Sequence, residues 1–158
     1  MTALPLDATR FAAETERITN EVSFGEWVTL YHPDAVAEWI FDGVRRCFVG
    51  LDEIRLALTV LAELWTNHPL RVRKRVVCAD DDTIVLTYEG GFDGRSNQFG
   101  TEIWTFRGDK VIRHEMYGYL DVRSRDSTLG QLRMLLVDPR IALSVRRAER
   151  KHLPPFTG

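Results

Sequence analysis

The stretch Gly100–Asp121, GTEIWTFRGDKVIRHEMYGYLD, decides how this chain folds. Its arms, Thr101 to Phe106 and Val111 to Leu120, are rich in β-branched and aromatic residues, the composition of strands. Arg107-Gly108-Asp109 between them is short and polar, as a hairpin loop should be. Two registers compete. A two-residue Gly108-Asp109 loop suits a type II′ turn, glycine first, and sets Glu102 beside Glu115. A three-residue loop, Arg107 to Asp109, sets Glu102 across from His114. A one-residue slip exchanges every neighbour, so the faces arbitrate. The three-residue loop gathers Glu102, Trp104 and Phe106 with Ile112, His114, Met116, Gly118 and Leu120. Thr101, Ile103 and Thr105 then share the other face with Val111, Arg113, Glu115, Tyr117 and Tyr119. This separates the large apolar groups from Arg and Glu, and it selects the three-residue loop.

A carboxylate and an imidazole then meet in an apolar wall, close enough to interact. Glu102 would favour the imidazolium form of His114, and burial would oppose it. One reading is a general acid/base poised near neutral pH. The other is a satisfied buried polar pair that fixes register. The sequence leaves both open.

Working outward, 158 residues are one domain's worth, and 44% hydrophobic content supports a core without staples. A net charge of -2 argues against nucleic acid as an obligate partner, although Arg146, Arg147, Arg150 and Lys151 cluster near the end. Cys47 and Cys78 lack metal-ligand spacing and read as reduced core or near-core thiols. No long apolar run and no charged-then-apolar leader are evident, so the expectation is a soluble cytoplasmic protein that does not enter a membrane.

Leu6 to Val22 reads as a helix capped by Asp7, and Phe24 to Tyr31 as a second, ended by His32-Pro33-Asp34. Ala35 to Phe41 and Val44 to Val49 flank an Asp42-Gly43 turn. A helix of about Glu53 to Trp65, capped by Asp52, follows. Leu70 to Ala79 is a strand with Arg71, Arg73 and Arg75 on a solvated or interface face. Thr83 to Phe92 is the next, with Gly90-Gly91 suggesting a bulge or bend. After the central hairpin come two helices, Leu129 to Val137 and Pro139 to Lys151, whose leucines, Ile141 and Val145 supply apolar contacts. The order implies an α+β fold: a curved antiparallel sheet with helices on its concave side, closing a cone with an apolar throat.

This order, with WVTLYHPDAV, GLDEI and TEIWTFRGDKVIRHEMYGYLD, resembles the nuclear transport factor 2-like superfamily, nearest its SnoaL-like branch, over about residues 7 to 122. Residues from about 126 to 151 would be a helical extension of that single domain. The resemblance implies a cone-shaped pocket and frequently a homodimer. Its superfamily includes ketosteroid isomerases, epoxide hydrolases, dehydratases, polyketide cyclases and members that only bind, so likeness of fold does not settle function. In the isomerase-like pattern the general-base Asp falls at Trp39 and the Tyr oxyanion donor at Ile18, while the second oxyanion acid falls at Glu102. In the epoxide-hydrolase-like pattern Gly94 to Ser96 and the hairpin align, but the reacting carboxylate, its Arg and the acid fall near Leu86, Ile84 and at Met116. Glu102 and His114 are what remain on the inward wall.

The expectation is therefore a cofactor-independent enzyme moving protons on a small, largely apolar molecule: an isomerase, dehydratase, cyclase or hydrolase. His114 would be the acid/base and Glu102 its orienting or acting partner. Trp39, Tyr31, Tyr88, Trp104 and Met116 would line the throat, although plain core packing suits Trp39 and Tyr31 as well. No metal or phosphate motif is present. The alternatives are a non-catalytic ligand-binding module, or a dimer built through the outer sheet face.

Overall fold

The opening hairpin forms with a two-residue turn and a bulge. In the computed structural model, which describes residues 7–123 and 127–152, Arg107 pairs with Lys110 and Phe106 with Val111. Gly108 carries the positive φ of 65° and Asp109 does not, as a type II′ turn requires. The register then shifts at Ile112, so that Thr105 faces Arg113, Trp104 faces His114 and Glu102 faces Met116. This corrects the three-residue loop. The turn obeys its glycine, and one extra residue in the second arm restores the segregation of faces. Glu102, Trp104, His114 and Met116 do share the buried face, but Val111 has turned inward with them.

The hairpin strands, β5 (Gln98–Arg107) and β6 (Lys110–Tyr119), lie inside a six-stranded sheet. On one side β5 pairs with β4 (Thr83–Phe92) and β4 with the edge strand β3 (Leu70–Ala79). On the other side β6 pairs with β1 (Tyr31–Phe41) and β1 with β2 (Val44–Val49). The sheet is curved and unclosed, with strand order β2-β1-β6-β5-β4-β3. The β1–β6 pairing is parallel, which departs from the wholly antiparallel sheet expected. The Asp42-Gly43 hairpin forms as read, both residues at positive φ as in a type I′ turn.

Three helices pack on the unit that ends at Val122. Helix α1 (Ala8–Glu21) starts at Asp7, whose carboxylate accepts the Arg10 N–H at 2.9 Å. Helix α2 (Phe24–Thr29) is shorter than expected, and Tyr31 to Asp34 belong to β1 instead. Pro33 is accommodated there because the β1–β6 register shifts between Tyr31 and Val36. Helix α3 (Leu51–Asn67) is capped by Gly50 at φ 84°, not by Asp52. Instead, Glu53 in its first turn accepts the Val49 N–H at 2.7 Å.

The free edge of β3 is covered by α1. Asn20 donates to the Val72 carbonyl at 2.9 Å and accepts the Val72 N–H at 2.8 Å, and Glu16 accepts the Lys74 N–H at 2.7 Å. Those bonds satisfy an edge that would otherwise invite pairing with another chain, and they fix the backbone on either side of Lys74. Arg71, Arg73 and Arg75 are exposed, as expected. Cys47 and Cys78 are free and exposed, not core thiols, because both fall on outward positions of edge strands. Gly90 and Gly91 make no bulge; Gly90 pairs with Val72, and a Cβ there would strike the Arg71 carbonyl.

Residues from Arg123 onward form a separate unit. In it, α4 (Thr128–Val137) is capped by Ser127 and α5 (Pro139–His152) by Asp138, whose carboxylate accepts from Arg140 and Ile141. The leucines expected to pack are mostly open: Leu132, Leu136, Ile141 and Leu143 are exposed, and Ala142 is buried. Among the described residues no helix is long and apolar enough to cross a membrane.

Candidate functional site

Rows of side chains running across the sheet build the site. One row is Lys74, Tyr88, Gly100, Gly118 and Phe41; the next is Leu86, Glu102, Met116 and Trp39; the third is Ile84, Trp104, His114 and Ala37. Lys74, Tyr88 and Phe41 of the first row and Glu102 and Met116 of the second border a cavity of about 210 Å3, completed by Trp27 of α2 and by Leu61, Leu64 and Trp65 of α3. The third row is packed solid behind it: Ile84, Trp104, His114 and Ala37 are each 0% exposed.

The glycines make the space. Tyr88 faces Gly100, which faces Gly118. A Cβ on Gly100 would overlap the Tyr88 ring, and one on Gly118 would meet the Tyr88 hydroxyl and the Phe41 ring. Both aromatic rings lie over bare backbone and face the cavity.

One ion pair interrupts the apolar wall. Lys74 Nζ donates to both Glu102 oxygens, at 2.9 Å and 2.8 Å, and the two side chains are 2% and 3% exposed. The Trp104 indole N–H adds a bond to Glu102 Oε2 at 3.3 Å. The ammonium also lies 6.0 Å from the Trp27 ring and 5.9 Å from the Trp104 ring, within cation–π range. Two charges this deep are tolerated because each is neutralised by the other.

His114 has a different environment. The Tyr31 hydroxyl is 2.7 Å from its Nδ1, and Trp39 Nε1 donates to the same atom at 3.4 Å. An indole N–H can only donate. Nδ1 is therefore an acceptor, Tyr31 donates, and the ring is the Nε2–H tautomer. The imidazole stacks on Trp104 with centroids 3.6 Å apart and planes 13° from parallel. Burial, assisted by the Lys74 charge, pushes its pKa well below the usual histidine range. Nε2 is buried with no partner. Burial, with the Glu102 charge, likewise raises the Tyr31 phenol far above its usual range.

Of the residues singled out in the sequence, Glu102, Tyr88 and Met116 border the cavity. Trp39, Tyr31, Trp104 and His114 do not; they form the packed cluster next to it. Glu102 and His114 share a face but are diagonal, each bonded to another partner. The sequence reading missed Lys74 and Gln98. Lys74 had a signal: it breaks the inward run Leu70, Val72, Val76 of β3, opposite the arginines. Gln98 lies before the arm as first drawn, on the Glu102 face of β5. Among the described residues no three His, Cys, Asp or Glu side chains converge as a metal site.

No family model and no curated protein matches this chain. Solved structures do. A nuclear transport factor 2-like protein of unknown function from Cytophaga hutchinsonii is 12% identical with a TM-score of 0.53, covering 70% of this chain and 96% of that one. A Bacillus subtilis protein provisionally named an isomerase is 18% identical with a TM-score of 0.52, over 72% and 89% of the two chains. A Sinorhizobium meliloti protein provisionally named a polyketide cyclase is 14% identical with a TM-score of 0.50, over 64% and 87%. The chain has the nuclear transport factor 2-like fold, as its motifs implied.

Proposed function

We propose that the cavity binds a small, neutral, largely apolar molecule and that the protein moves a proton on it without a cofactor, in the manner of the SnoaL-like branch. The observation that carries this reading is a buried, doubly bonded Lys74–Glu102 pair on the wall of an otherwise apolar cavity. The pair has no net charge, so it selects against anions and cations and favours a neutral oxygen. Lys74 keeps a third N–H to donate, and Glu102 Oε1 keeps a lone pair to accept.

Applied to an enolisable carbonyl, the chemistry is direct. The Glu102 carboxylate takes a proton from the carbon beside the carbonyl. The C–H electron pair moves into the new C=C bond, and the carbonyl oxygen takes up negative charge beside the Lys74 ammonium. Where a C=C bond is conjugated with the enolate, return of the proton to its far carbon isomerises the molecule; where a hydroxyl stands on the β-carbon, the proton held by Glu102 passes to it, the C–O bond breaks and water leaves. His114 acts as a positioning residue: it stacks on Trp104, and Trp104 bonds Glu102. The provisional names of the isomerase and cyclase neighbours agree with this class of reaction.

A second reading, binding without turnover, has its own support, because Lys74 already engages both Glu102 oxygens. Deuterium exchange separates the two. With 2-tetralone in D2O, followed by NMR, a catalyst gives saturable exchange beside the carbonyl that Glu102→Gln loses. Saturable binding with no exchange supports the module, and no binding at all removes both. The sheet's outer face exposes Phe99, Tyr117 and Tyr119. We propose it as the homodimer face of a cytoplasmic protein, which light scattering of a Tyr117→Lys/Tyr119→Lys variant tests.

A further inference from the structure

We infer that Gln98 forms a second polar anchor in the cavity, so that its ligand carries a hydrogen-bonding oxygen at each end of an apolar body. This rests on the reading of the Lys74–Glu102 pair as the other anchor.

Gln98 is 7% exposed and Tyr88 6%, and both face the cavity. The Gln98 amide makes no side-chain hydrogen bond among the described residues and is not one of the enclosed polar atoms left without a partner, so it opens onto the cavity. An amide that faces an apolar cavity offers a ligand oxygen a hydrogen bond. Gln98 and Glu102 project from the same face of β5, four residues apart, roughly 13 Å by the rise of an extended strand. Between them Gly100 contributes no side chain, and the Tyr88 ring lies over it. The anchors therefore stand at separate points along one trough, with apolar surface between.

The cavity's 210 Å3 limits the body. An apolar cavity of about 150 Å3 holds one benzene ring, so this one suits two fused rings rather than four. The ligand class is a neutral bicyclic, or a chain of similar bulk, with an oxygen at each end. The inner oxygen meets Lys74 and Glu102. The outer one meets the Gln98 amide, which can donate or accept.

Isothermal titration of naphthalene, 2-naphthol and 2,6-dihydroxynaphthalene tests this. In the native protein the diol should bind about five- to tenfold more tightly than 2-naphthol, the gain of one added hydrogen-bonding end. Gln98→Leu should erase that advantage and leave 2-naphthol unchanged. Gln98→Glu, which still accepts a hydroxyl proton, should keep most of it. The inference is overturned if the diol has no advantage, or if Gln98→Leu retains it. The inner anchor is read separately, through the preference for 2-naphthol over naphthalene in Lys74→Met/Glu102→Leu. If that preference survives while Gln98→Leu still abolishes the diol's gain, the outer anchor stands and the proposed role of the ion pair falls. If none of the three compounds binds, both fall.

Discussion

Two clusters of buried polar groups lie one row apart on the same sheet face, and they have been built for different ends. Lys74 and Glu102 form an ion pair that borders open space. His114 and Tyr31 are enclosed, and burial holds both in their neutral forms. Trp104 touches both clusters, bonding Glu102 with its N–H and stacking on His114. Only the first cluster reaches the cavity with a lone pair and a proton to spare, and the proposed function rests on that difference.

The sharpest way to break this contrast is to leave one charge alone. Lys74→Met strands the Glu102 carboxylate in the wall and should cost about 3–5 kcal/mol in urea denaturation. Lys74→Met/Glu102→Leu removes both charges and should recover most of that loss. If the double variant is no better than the single one, the pair is not the self-contained unit described.

The packed cluster should reveal itself through pH. The folded protein holds His114 neutral well below the unfolded value of 6.5, so only the unfolded chain takes up its proton as pH falls. Stability is complete above about pH 6.5 and declines as pH falls below it, at most by about 1.4 kcal/mol per pH unit. The carboxylates held low by arginines, Glu14 beside Arg17 and Glu115 beside Arg113, lose their contributions only below about pH 4.5. Their loss therefore begins only after this decline is under way. Chemical denaturation at several pH values should show the decline in the native protein, and a flatter profile in Tyr31→Phe/His114→Phe.

Smaller effects sharpen the same picture. Tyr31→Phe alone removes one buried hydrogen bond and should cost about 1 kcal/mol. It should also leave ligand affinity unchanged, because Tyr31 does not border the cavity. At the surface, Arg17→Ala breaks contacts to Glu14, Glu21 and Glu26 that are open to solvent, and it should leave the midpoint of urea denaturation nearly unchanged.

How much of this was legible in the sequence differs by residue. Strand alternation placed Glu102, His114, Trp104 and Met116 on one face, and the structure agrees. The register was not legible, because two true signals pointed apart. Gly108 demanded a two-residue turn, and the faces demanded a slipped pairing. The bulge at Ile112 satisfies both, and nothing in residue types marks a bulge in advance. Lys74 escaped because the arginines beside it drew the eye to the outer face. Its partner stands two strands away, beyond any local pattern. Tyr31 was placed in a helix because Pro33 reads as a helix stop, and a strand with a register shift accommodates that proline equally well.

Under the proposed function, proton transfer belongs to the pair on the cavity wall and not to the enclosed imidazole. Deuterium exchange into 2-tetralone, compared between Glu102→Gln and Tyr31→Phe/His114→Phe with both confirmed folded, separates the two. The first variant should lose exchange and the second should keep it within a few-fold. Exchange that persists without the Glu102 carboxylate and disappears with the His114 ring would overturn that assignment.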